Sequence, residues 1–215
     1  MKTSRLRILP ALLATLVLAT AARAHFVWLE RDAATGEVAA FFGEWAANLR
    51  ETEEGYLKII TAPQAFAADG KALVVTRQND RLPVAAKNVA GDLRLSSVYF
   101  AEKGKNLTRY QAKLGRTETA AKFDLELVPV AANSNTFILL LKGAPLPEAD
   151  VTLFTSSGWN RTFKTDASGK VTIETPWPGQ AVIEVGHVEK KPGEHEGRAY
   201  EGIRHVFTLS FIVSA

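Results

Sequence analysis

No cysteine occurs anywhere in the 215 residues. That excludes disulfides, thiolate metal sites, cysteine nucleophiles and a lipid-modified cysteine, and it leaves packing alone to hold the fold. The single methionine, Met1, offers no thioether set either. Any metal site must therefore be built from nitrogen and oxygen ligands. The chain also lacks a G-x-S-x-G elbow, a phosphate-binding P-loop and a dinucleotide-binding glycine motif.

Long apolar runs are confined to the start. Lys2, Arg5 and Arg7 precede the run from Ile8 to Ala19, and Ala22-Arg23-Ala24 comes after it. A basic head, a short apolar middle and an A-x-A tail are the parts of a secretory signal peptide. The run falls short of the ~20 residues that span a bilayer. The sequence thus predicts a signal peptide over 1–24, a mature chain that begins at His25 without a membrane span, and a periplasmic or secreted location. Four of the 26 basic residues and none of the 23 acidic ones lie in 1–24, so the rest carries one more acid than base. That balance gives no reason to expect nucleic acid or an anionic membrane as partner.

From residue 25 onward the chain reads as short β-type runs separated by turns, with little helical periodicity. Strands are expected at 26–30, 37–42, 56–61, 72–76, 81–86, 94–100, 107–112, 122–129, 136–141, 150–155, 161–165, 170–174, 181–188 and 204–213. Only 44–54 suits a short helix. Asp69-Gly70, Asn79-Asp80, Gly91-Asp92, Ser157-Gly158 and Ser168-Gly169 mark turns. Small and polar residues at Ala131-Ala132-Asn133-Ser134-Asn135 read as a linker. The expectation is an all-β chain of two consecutive β-sandwich domains, 25–131 and 132–215, with one continuous sandwich as the rival.

The later half contains Thr165-Asp166-Ala167-Ser168-Gly169-Lys170 followed by Pro178-Gly179 and Ile183-Glu184-Val185. It resembles the transthyretin-like or carboxypeptidase-regulatory type of sandwich, in which such a hairpin turn recurs. With the start His25-Phe26-Val27-Trp28-Leu29-Glu30, the segment Phe41-Phe42-Gly43-Glu44 and the Gly193–Thr208 stretch, most of the chain after residue 24 is similar to the DUF4198 family of exported proteins. That family is described as related to periplasmic components of nickel uptake. The resemblance implies nickel as ligand and a membrane metal transporter as partner.

The four histidines are the candidates for chemistry. After cleavage His25 offers an α-amine and an imidazole from one residue, a chelate suited to the planar geometry of Cu(II) or Ni(II). Strand alternation puts Ile183, Val185 and His187 on one face, and His205, Phe207, Leu209 and Phe211 on another. Antiparallel pairing with 187 opposite 205 registers both apolar faces and brings two imidazoles within reach of one metal, since opposed Cβ atoms lie ~4.5–5.5 Å apart. The bland alternative is two hydrogen-bonded histidines capping a core. His195 lies in a polar loop, either as decoration or as a fourth ligand. Glu44 is a candidate oxygen ligand or an exposed charge, and Tyr200 a site cover or a surface aromatic. Asp166 serves its turn. Among the tryptophans, Trp28 reads as core and Trp177 as exposed.

The expected function is a metal-binding or metal-delivery protein with His25, His187 and His205 as ligands to a copper or nickel ion. Copper is favoured by affinity order and nickel by the resemblance. The alternatives are a copper-dependent polysaccharide oxidase using the same site and a metal-free structural or adhesive module.

Overall fold

The computed structural model describes residues 25–101 and 103–214. The expected signal peptide, 1–24, lies outside the described residues.

In the first part of the chain the strands are β1 (Phe26–Arg31), β2 (Val38–Glu44), β3 (Leu49–Arg50), β4 (Gln64–Ala67), β5 (Ala72–Leu73), β6 (Leu82–Val84), β7 (Leu93–Tyr99), β8 (Asn106–Leu114) and β9 (Leu125–Pro129). Then come β10 (Thr136–Leu141), β11 (Ala144–Pro145), β12 (Asp150–Thr155), β13 (Asn160–Lys164), β14 (Lys170–Thr172), β15 (Gly179–Glu189), β16 (Gly193–His195), β17 (Arg198–Tyr200) and β18 (Gly202–Val213). The fold is all-β and sandwich-like.

An eight-stranded sheet in the order β13-β12-β15-β18-β8-β7-β4-β5 forms the middle layer, and β18 runs parallel to β8. Alternation assigns its two faces. Val182, Val206, Tyr110, Ala112, Leu93 and Leu95 point to one side and join the core beneath β1 and β2. Ile183, Val185, Phe207, Leu209 and Leu153 point to the other and join Leu125, Leu127, Phe137 and Leu139 of β9 and β10. A small sheet (β1, β2, β3, β6) thus covers the first face and a second one (β9, β10, β11, β14) the other. The Thr208 hydroxyl donates to the Val27 carbonyl at 2.7 Å and ties β18 to β1.

Strands from both sides of the expected boundary at 131/132 enter the eight-stranded sheet, and 131–135 forms the turn of the β9–β10 hairpin. Two local expectations need correction. Over 56–61 the chain makes a 3₁₀ turn, Leu57–Ile59, and no strand; the buried residues Leu57 and Ile60 are three apart, which is the 3₁₀ period. The helix expected in 44–54 shrinks to the turn Trp45–Ala47, stopped by Asn48 in the left-handed region at φ 50°. Just before it, Gly43 sits at φ 149°, where a Cβ would come within 2.1 Å of the Leu49 carbonyl oxygen. Only glycine lets β3 close on β2 there.

Candidate functional site

The eleven-residue ladder between β15 and β18 places His187 opposite His205, Val185 opposite Phe207 and Ile183 opposite Leu209. This is the register expected from the two apolar faces, because a slip of one residue would turn every buried side chain outward. Where the apolar rows end, the imidazoles begin.

His205 is fully buried, and neither ring nitrogen has a hydrogen-bond partner. Its surroundings are charged. On its β8 side stands Arg109, which pairs with Asp124. Glu189, two residues beyond His187 on the same strand, brings Oε1 to 3.8 Å from His205 Nε2. The same carboxylate takes both of its oxygens to Lys142 Nζ, at 2.7 and 2.6 Å. Burial pushes the His205 imidazole below its ordinary range, and Arg109 and His187 add to this while Asp124 and Glu189 oppose it. His205 is therefore a neutral imidazole at pH 7. His187 is half-buried beside it.

His25 does not share this site. It precedes β1, on the other face of the middle sheet, where its Nε2 meets Glu51 Oε1 at 2.7 Å and its Nδ1 lies 3.6 Å from Glu44 Oε1. Phe42 and Tyr56 flank the ring, with centroids at 5.5 and 5.7 Å. Burial would raise the Glu51 carboxyl, but the hydrogen bonds from His25 and from the Tyr56 amide hold it below the usual range. The three expected ligands thus fall into two places: His187 with His205 at one, and His25 with Glu44 and Glu51 at the other. Among the described residues, no three His, Asp or Glu side chains are already gathered as a metal-binding group.

The remaining candidates are scattered. His195 lies on the separate β16–β17 hairpin, opposite Arg198, and Tyr200 packs edge-on against Phe100. Asp166 caps its own turn by accepting from the Ser168 and Lys170 amides. Trp28 is buried and Trp177 exposed, as the sequence suggests.

Sequence reading misses Glu189 and Lys142. The H-x-E spacing of His187 and Glu189 is a usable signal, since residues two apart on a strand share a face. Lys142 reaches the site only through the β10–β11 turn, which no linear pattern reveals. Also missed is a buried charge cluster: Arg94, Lys113, Glu126 and Asp92 are all at most 1% exposed.

No protein-family model matches the chain, and no curated protein matches it. Among solved structures, one described as "Biofilm associated protein - BSP domain" aligns over 83% of this chain with 10% identity and a TM-score of 0.20. The chain spans only 27% of that protein's length.

Proposed function

We propose that the chain is an exported protein that binds and delivers Cu(II) or Ni(II), with His187 and His205 as its nitrogen ligands. One observation carries the reading. His205 is wholly buried with both ring nitrogens unbonded, directly opposite a second imidazole. A buried polar group left without a partner costs about 1–3 kcal/mol, and a metal shared with His187 relieves that cost. Burial also keeps His205 neutral, the form a metal requires. Imidazole suits copper and nickel, and the family resemblance adds nickel and a membrane transporter as the receiving partner.

Isothermal titration of Cu(II) and of Ni(II) into protein carrying His25→Ala tests this site apart from the other, because that substitution removes the imidazole held by Glu51 and Glu44. The expected result is one equivalent bound, weakened at least ~10-fold in His187→Ala and in His205→Phe. Affinity should also fall on acidification near ~6.5 and below, where protons compete for the ligands. Undiminished binding by the doubly substituted protein would sink the proposal.

His25 supports a second, separate reading. With Nε2–H held by Glu51, its Nδ1 faces Glu44. Cleavage after Ala24 would add an α-amine to that nitrogen. Intact-mass analysis of protein recovered from the exported fraction should then give a chain starting at His25. Any other terminus removes the chelate.

A further inference from the structure

Glu189 stands two residues from His187 on one face of β15, and diagonally across the ladder from His205. Diagonal neighbours have Cα atoms ~7–8 Å apart, a span that a glutamate side chain bridges. It does so here, with Oε1 3.8 Å from His205 Nε2. Ligand atoms bound at ~2.0–2.1 Å to one metal lie about 3 Å from each other. Its oxygen needs to close by less than about 1 Å to share a metal with His205 Nε2.

What holds it back is Lys142, whose ammonium engages both Glu189 oxygens at 2.6 and 2.7 Å. The position of that lysine is unusual. Lys142 and Gly143 form the two-residue turn between β10 and β11, with φ of 52° and 80°. Positive φ at both positions is the type I′ hairpin, which favours Asn-Gly or Asp-Gly. A lysine there is strained, and such strain tends to collect at functional positions. The turn is tied down as well, since the Lys142 amide donates to the Asp124 carbonyl at 2.6 Å. Asp124 in turn pairs with Arg109, the neighbour of His205.

We infer that Glu189 is the third ligand of the His187–His205 site and that Lys142 is an internal competitor for it, so that metal binds only as the lysine lets go. This rests on the reading of His187 and His205 as ligands. An ammonium beside a divalent ion repels it, and a lysine able to retake the carboxylate keeps the metal exchangeable. Exchangeability is what a delivery protein needs. The ligand class is a divalent transition metal on two imidazoles and one carboxylate, with its remaining positions open to water.

Two substitutions separate the roles without threatening the fold. Lys142→Asn removes the cation and puts a favoured residue in the turn, and Glu189→Gln keeps the shape while removing the charge. Titration with Ni(II) alone should show Lys142→Asn binding about 10-fold tighter than the parent and Glu189→Gln about 10-fold weaker. The double variant should match Glu189→Gln, because the lysine acts only through that carboxylate. If the parent binds and His205→Phe does not, yet Glu189→Gln or Lys142→Asn titrates like the parent, this inference fails while the two-histidine site stands. If the parent binds no Ni(II) or Cu(II), the two-histidine reading itself falls, and this one with it.

Discussion

Glu126→Ala should destabilise the protein by about 3–5 kcal/mol. The carboxylate of Glu126 is completely buried and accepts from Arg94 Nη2 at 2.6 Å, Arg94 Nε at 3.1 Å and the Lys122 and Phe123 amides at 2.7 and 3.0 Å. Lys113 Nζ lies 3.5 Å away and also contacts Asp92 at 3.1 Å. Two buried cations thus face two buried anions on the β8–β7 part of the middle sheet. Removing Glu126 leaves Arg94 with Glu118 and the Ala120 carbonyl, and Lys113 with Asp92 and the Glu118 carbonyl. One buried cation, Arg94, thus loses its only buried anion, and neither cation has any exposed surface.

The loss comes from desolvation without compensation, so position in the cluster matters more than the number of ion pairs. Glu118, which also pairs with Arg94, has a side chain 22% exposed, and water can take over its role. Glu118→Ala should cost about 1 kcal/mol or less. Urea unfolding of the two variants beside the parent checks this. Equal costs would mean that the cluster does not act as a unit. The cluster also explains how the stretch between β8 and β9 is held. Asp92 accepts from the Thr117 amide and hydroxyl and the Glu118 amide. Burial alone would raise its carboxyl, but those bonds and Lys113 hold it below the usual range.

Much of this architecture is readable from residue order, and the boundary of what is readable is physical. Alternation in 181–188 and 204–213 determines the faces of β15 and β18, and matching the apolar faces determines their register, down to His187 beside His205. Alternation says which way a side chain points but not what lies over it. Arg94 and Lys113 sit on the polar faces of alternating strands and read as solvent-exposed; the 115–126 segment covers them, and that cover is a tertiary fact. The same blindness hides Lys142, which meets Glu189 only because β10 and β11 fold back over the ladder. The small polar residues at 131–135 suit a linker, but a hairpin turn uses the same residues for the same conformational reasons. His25 reads as a partner of the other two histidines because nitrogen ligands are scarce. Which face of the middle sheet β1 covers is not encoded in any local pattern, and that choice separates it from them.

Glu184→Gln should make the protein more stable than the parent at pH 8, by up to about 3 kcal/mol, and nearly indistinguishable from it at pH 4.5. Glu184 lies on β15 between Thr152 of β12 and Thr208 of β18, on the face that carries Val182 and Val206. Burial pushes its carboxyl from 4.5 up to about 7, against the opposing pull of Arg204. Because the folded-state value is raised, the folded protein holds a proton that the unfolded chain has released. The stabilisation from that proton is complete below about 4.5 and is lost as pH climbs to about 7. Glutamine is neutral throughout and avoids the loss. His205 works in the opposite direction. Burial lowers its imidazole, so its contribution is complete above the ordinary ~6.5 and declines below it. Both proteins keep His205, so its effect cancels when the two are compared at each pH, and the difference isolates Glu184. Denaturant unfolding at pH 4.5, 6 and 8 measures it. A gap that stays constant across the three would show that Glu184 is ionised in the folded state at the same pH as in the unfolded chain.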